Sequence, residues 1–115
     1  MMLHHRLSEV CEKEFSDILD GKPQIFYDGI KVKFLDGSEL MVRYSSMKEY
    51  SFHWTGVEGE FRIDTAPIYR ELDTFPNHIH ERGDVTRDEV TSPDKDPEEN
   101  LRRVIRYIAE KLEED

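Results

Sequence analysis

Residues 30–44, IKVKFLDGSELMVRY, decide the fold. Ile30, Val32 and Phe34 alternate with Lys31 and Lys33. After Asp36-Gly37, Leu40, Val42 and Tyr44 alternate with Met41 and Arg43. Successive side chains of a strand point to opposite faces, and an Asp-Gly pair readily adopts the backbone angles of a tight reversal. The stretch therefore reads as a β-hairpin with one apolar and one polar face. The alternation continues downstream. Past a turn at Ser45–Glu49, Tyr50, Phe52 and Trp54 alternate with Ser51 and His53. A turn at TGVEG (55–59) then leads to Phe61 and Ile63, alternating with Arg62 and Asp64. The result is a four-stranded antiparallel meander. Around His78–His80 the pattern admits a fifth, returning edge strand or a short helical turn.

Upstream, Leu3, Leu7, Val10, Cys11, Phe15, Ile18 and Leu19 recur at helical spacing, which predicts an amphipathic helix over 3–19. Gly21 offers its cap and Pro23 blocks continuation. His4 and His5 sit at its frayed start and are expected to be solvated. Downstream, residues 68–90 lack a sustained period, and 86–99 (TRDEVTSPDKDPEE) read as a linker or mobile loop. A final helix follows, capped by Asp96 and opened by Pro97, Glu98 and Glu99. Its buried stripe is Leu101, Val104, Ile105, Ile108 and Leu112, with Arg102, Arg103 and Arg106 on a solvated face. The expectation is an α+β fold, a meander sheet packed on one face by the N- and C-terminal helices.

A one-residue slip in register would bury the polar set, so the two faces are well specified. Ile30, Val32, Phe34, Leu40, Val42, Tyr44, Tyr50, Phe52, Trp54, Phe61 and Ile63 share the core face. The opposite face carries four cations (Lys31, Lys33, Arg43, Arg62) against one carboxylate, Asp64.

A length of 115 residues fits one domain, 1–115, able to bury roughly two-thirds of its unfolded surface. The single cysteine, Cys11, excludes an intrachain disulfide and sits on the buried helical stripe, where an inert thiol is expected. No apolar run approaches a membrane span, and MMLHHRLSEV lacks the basic start and apolar core of a signal peptide, so a cytoplasmic protein is expected. The net charge is −10, of which residues 71–115 supply −7. Such a balance argues against a simple nucleic-acid-binding module, because affinity for phosphate backbones rests on cations.

The candidate chemistry lies between residues 50 and 80, which hold three of the five histidines. His78-Ile79-His80 in an extended segment puts two imidazoles on one side. Such a pair can supply two ligands of a metal site with Asp64 as a third, act as acid and base in phosphodiester cleavage, or be structural. The metal reading is the less favoured one, and no cofactor is expected. His53 and Asp64 project from the polar face on neighbouring strands, where the carboxylate could orient the ring. Arg43 and Arg62 could hold a phosphate; a surface Arg–Asp cross-strand pair is the plainer alternative. The candidate site is thus His53, Asp64, His78 and His80 for catalysis, with Arg43 and Arg62 for substrate.

The order of these features resembles the TumE family of toxin–antitoxin proteins. The resemblance rests on the Asp36-Gly37 hairpin, Tyr50-Ser51-Phe52-His53-Trp54, Arg62-Ile63-Asp64-Thr65-Ala66-Pro67 and Phe75-Pro76-Asn77-His78-Ile79-His80, set between two helices and covering most of residues 1–112. It implies a toxin paired with a helix-turn-helix antitoxin. The accompanying expectation is RNA cleavage by ribonuclease-like acid/base catalysis, with a homodimer as a further expectation. The alternative is a non-enzymatic interaction module. The family pattern leads us to expect an Asn before the Ala-Pro element and histidines after it. Thr65, Ile68 and Tyr69 stand there, which implies that part of such a site is replaced.

Overall fold

The architecture is an antiparallel sheet in plain sequence order, here in a computed structural model that describes residues 2–57 and 59–113. Helix α1 (Met2–Glu14) is followed by strands β1 (Gln24–Phe26), β2 (Gly29–Lys33), β3 (Glu39–Ser46), β4 (Glu49–Gly56), β5 (Gly59–Asp64), β6 (His78–Glu81) and β7 (Asp84–Arg87). Helix α2 (Pro97–Glu113) closes the chain. All seven strands form one sheet in the order β1 to β7. The meander expected from the alternation is present, with both helices against its apolar face. The four or five strands read from the sequence are too few.

β6 is the returning strand that the pattern around His78–His80 admitted, and β1 and β7 are the additions. β1 is three residues long and exposed throughout, so it carries no alternation to read. β6 and β7 are joined by Arg82-Gly83, both at positive φ (56° and 82°), the signature of a tight hairpin turn in which Gly is expected and Arg is not. Helix α1 ends at Glu14, before the expected Leu19, because the following backbone pairs with the sheet instead. Leu19 bridges Phe34, the Asp20 N–H donates to Lys33 O (2.8 Å) and the Leu35 N–H donates to Ile18 O (3.1 Å). Residues 86–99 are tied down and do not form the expected linker. Asp88 is buried, accepts hydrogen bonds from the Val90 and Thr91 amides, and joins Asn77, Thr91 and Tyr50 in a buried network. Glu58, within the turn expected at 55–59, lies outside the described residues.

The hairpin of the opening stretch closes on three residues, Leu35-Asp36-Gly37, with Gly37 at φ +93°. The Gly37 N–H donates to Phe34 O (3.0 Å), and the Asp36 carboxylate accepts from the Ser38 amide (2.9 Å). The register makes whole rows of one chemistry. Ile30, Val42, Phe52, Ile63 and Ile79 face one another in the core, flanked by Val32, Leu40, Trp54 and Phe61. α2 lays Leu101, Val104, Ile105 and Ile108 on them, and α1 adds Leu3, Leu7, Val10 and Cys11. Burial pushes the Cys11 thiol up to about 12, so it is the expected inert thiol. Two of the three arginines on the solvated face of α2 are ion-paired: Arg102 grips Glu14 through two nitrogens (2.9–3.1 Å) and Arg103 meets Glu99 (3.2 Å).

His4 departs from the sequence reading. It is buried, with 1% of its surface exposed, and its Nε2 accepts a hydrogen bond from the Tyr44 N–H (3.3 Å). Tyr44 lies one residue past the last β2 pairing, Gly29 with Arg43, so the imidazole of α1 substitutes for a missing strand partner. Burial, aided by the chain's amino terminus, holds its pKa below the ordinary value. The unfolded chain therefore binds a proton that the folded one resists. Stability is expected to be full above about pH 6.5 and to fall as pH drops below it. His4→Gln keeps an acceptor without the titration, and chemical denaturation across about pH 5–8 should show a flatter stability profile for that variant.

Gly29 makes the closest approach in the sheet: a Cβ there would stand 2.2 Å from the Val42 carbonyl oxygen, a backbone atom that cannot swing aside. Gly29→Ala should therefore lower unfolding free energy by about 1–3 kcal/mol, the usual range for overpacking. Gly59, where an added Cβ would meet nothing within 4 Å, is the control, and Gly59→Ala should leave the denaturation midpoint nearly unmoved.

Candidate functional site

The polar rows of the sheet carry the chemistry. Lys31, Met41, His53, Arg62 and His80 are successive cross-strand neighbours from β2 to β6. The adjacent row runs Arg43, Ser51, Asp64, His78 and Arg87 from β3 to β7. Side chains directly opposite on one face stand about 4.5–5.5 Å apart at Cβ, so Arg62 lies between two imidazoles and Asp64 beside a third. Returning β6 makes this possible, because it places His78 and His80 against β5 with the parity that the H-x-H spacing demands.

Asp64 is the most connected group. Its Oδ2 accepts from Arg62 Nε (3.0 Å) and its Oδ1 from the Ala66 N–H (2.9 Å). The same Oδ1 lies 3.0 Å from Nε2 of His78, whose side chain has no exposed surface. The other nitrogen of His78, Nδ1, is 3.1 Å from the Pro76 carbonyl oxygen. A carbonyl only accepts, so Nδ1 carries the hydrogen and Nε2 of the neutral ring is a lone pair. Nε2 of His80 is buried and has no hydrogen-bond partner among the described residues. One ligand atom from each of Asp64, His78 and His80 lies within 4.8 Å of the others. Burial, with Arg62 and His78 nearby, holds His80 below the ordinary imidazole pKa.

Residues 65–77 cross this end of the face, so it is covered and not open as the alternation alone implied. Tyr69 packs edge-on against His78 (ring centroids 4.6 Å apart) and His80 (5.8 Å). Thr65 returns to β4, its hydroxyl 3.1 Å from the Tyr50 amide, while Ile68 is exposed. Tyr69 is therefore part of the cluster's wall and Thr65 part of its frame.

The other candidates are placed differently. His53 pairs with Glu60 (Nε2 to Oε2, 2.8 Å), and its direct cross-strand neighbour is Arg62 where the sequence reading paired it with Asp64. Glu60 was missed, although its parity with Arg62 and its diagonal position to His53 could have shown it. Arg43 binds Asp28 (3.3 Å), two strands from Asp64, with which it shares only a shallow depression. The four cations of this face are each paired: Lys31 and Lys33 with Glu39 (3.8 and 3.9 Å), Arg43 with Asp28 and Arg62 with Asp64. The free basic patch expected from the sequence is thus largely neutralised in place. His53, Arg62 and His80 do converge, with Arg82 of the β6–β7 turn, on one pocket of about 300 Å³.

Fold and site together define a small α+β protein with an imidazole–carboxylate–guanidinium cluster at one end of a meander sheet. The chain belongs to the Toxin TumE family, whose model matches residues 3–112. Membership points to the toxin component of a toxin–antitoxin system, with an antitoxin as the partner that such a toxin implies. No curated protein and no solved structure gives a significant match. None of the described helices is long and apolar enough to cross a membrane.

Tyr69→Ala should open the cluster. Histidine acylation followed by peptide mass analysis is expected to show His78 protected in the parent protein and modified several-fold faster in the variant, with His5 unchanged in both.

Proposed function

We propose that this chain is an RNA-cleaving toxin whose substrate phosphate sits in the pocket between His53 and His80, and that a helix-turn-helix antitoxin blocks that pocket. The supporting observation is the row His53–Arg62–His80 on three adjacent strands, which brackets a guanidinium with two imidazoles. Arg62 keeps its terminal nitrogens for a phosphate, because its bond to Asp64 runs through Nε. Glu60 accepting from Nε2 of His53 leaves Nδ1 of that ring as the base. The base removes the proton of an RNA 2′-hydroxyl; the 2′-oxygen bonds to phosphorus as the bond to the 5′-oxygen breaks. His80 gives a proton to the departing oxygen, and Arg62 offsets charge on the phosphoryl oxygens. Asp64 and the buried His78, in the adjacent row, act as positioning residues.

The test is RNA degradation by the purified chain, read alongside growth arrest on expression without the neighbouring antitoxin. Arg62→Ala and His53→Ala should each slow cleavage by roughly 10²–10⁴-fold, the usual worth of a positioned acid–base group or oxyanion donor. Cleavage and arrest unchanged in both variants would sink the proposal. The in-place pairing of the face's cations favours a second reading, a non-enzymatic interaction module. Growth arrest without any RNA degradation would support it.

A further inference from the structure

We propose that Asp64, His78 and His80 form a binding site for a divalent first-row transition metal. The argument begins with a mismatch. Nε2 of His78 lies 3.0 Å from a carboxylate oxygen of Asp64, yet the two are not aligned as a hydrogen bond, and the side chain of His78 is fully buried. Since Nδ1 holds its hydrogen toward Pro76 O, a neutral ring presents a lone pair to an anionic oxygen. Two lone pairs at that distance repel, and leaving a polar group unmatched beside a fully buried side chain costs more than a normal hydrogen bond is worth. A cation between them removes the conflict. His80 brings a ligand nitrogen within 4.8 Å of both groups, and its Nε2 is likewise buried with no hydrogen-bond partner among the described residues.

Two imidazoles and a carboxylate are a donor set suited to zinc, iron(II), cobalt(II) or nickel(II) rather than to magnesium or calcium. The supporting contacts are those that metal-binding histidines and carboxylates commonly show. A backbone carbonyl fixes the His78 tautomer with its metal-binding nitrogen bare, and Arg62 and the Ala66 amide orient the carboxylate. Ligand atoms about 2.0–2.2 Å from a tetrahedral ion stand about 3.3–3.6 Å apart, so the present spread of up to 4.8 Å closes by side-chain shifts of roughly 1 Å. Tyr69 shields one side, and the partly exposed His80 leaves a route from the pocket. The site goes beyond the cleavage reading and does not depend on it. A cation on one nitrogen of His80 makes that ring a neutral imidazole whose remaining N–H is too weak an acid to protonate a departing oxygen, so the proton-donor role belongs to the metal-free protein.

The experiment is calorimetric titration of the chelator-stripped full chain with Zn²⁺, and with Co²⁺ read by its visible absorption bands, in the absence of RNA. One ion per chain is expected, with nitrogen–oxygen cobalt bands. Affinity should fall by at least about 100-fold in His80→Ala and in Asp64→Asn, since even outer-shell partners of metal ligands are worth roughly 10–100-fold. His5→Ala should change nothing. Because His78 is packed in the interior and its loss could unfold the chain, the partly exposed His80 carries the test, with circular dichroism confirming that the variant is folded. Equal affinity in the parent and His80→Ala, or no ion bound at all, overturns the proposal. An imidazolium His78 seen by nitrogen NMR in the chelator-stripped and Zn²⁺-saturated protein alike also overturns it, because a proton would then occupy the place assigned to the metal. Binding is measured without RNA, so its failure leaves the cleavage reading standing, and loss of cleavage leaves the metal site standing.

Discussion

The carboxylate of Asp64 is the constraint on which this end of the molecule depends. It sits on the last residue of β5, where the chain leaves the sheet for thirteen residues and returns as β6. One oxygen fixes the departing backbone through the Ala66 amide and faces the first residue of the returning strand, His78; the other holds Arg62. A single side chain thus sets the exit of one strand, the arrival of the next and the orientation of the cation between two imidazoles. An anion so enclosed must be matched by donors or cations, because partial satisfaction in a water-poor site is worse than an apolar filling. Arg62 and one amide supply part of that match. The bare nitrogens of His78 and His80 lie beside the remainder.

A second buried polar system does the same for the backbone around it. Tyr50, Asn77, Asp88 and Thr91 hydrogen-bond to one another, and Asn100 of α2 receives the Ser92 amide and donates to Ser92 O. Residues 65–77 and 88–96 place none of their apolar side chains in the fully buried core, so hydrogen bonds to interior groups fix them where the hydrophobic effect does less. Burial pushes the Tyr50 phenol up to about 12, which keeps it a neutral donor and acceptor at the hub of this network. The β6 end is secured in a related way. Glu81 falls on the core-side row and is met by the Tyr107 hydroxyl (2.7 Å) and by Lys111 of α2. Burial would raise its pKa, but these partners outweigh it and keep the carboxylate ionised.

What was legible in the sequence follows from which forces are periodic. The alternation from Ile30 to Asp64 reports burial on one side of a sheet, and it yielded both faces correctly, although it set His53 beside Asp64 where the register puts Arg62. α2 was readable for the same reason at a different period. The edges were not. β1 buries nothing, β7 is nearly all exposed, and the Arg82-Gly83 turn uses a residue that turn statistics do not favour. The end of α1 was misplaced because β2 needed a partner for its outer edge, a tertiary demand with no local mark in Phe15–Leu19. Within the candidate site, His53, Asp64, His78 and His80 were named from residue type and parity. Glu60, Tyr69 and the Pro76 carbonyl were not, because their roles depend on diagonal neighbours and on a loop folded back over the sheet.

The charge distribution bears on how such a chain meets a phosphate. With the net charge at −10, long-range attraction to RNA is absent, and the cations of the polar face are held by carboxylates of their own chain. Binding of a polyanion at this face would have to proceed by exchange, a phosphate replacing Glu39 or Asp28 on their lysines or arginine, so that the gain per contact is only a difference between two ion pairs. Arg62 is the exception, because its link to Asp64 uses a nitrogen that a phosphate fork does not need. Specificity would then come from geometry at one short row of the sheet and not from an electrostatic field.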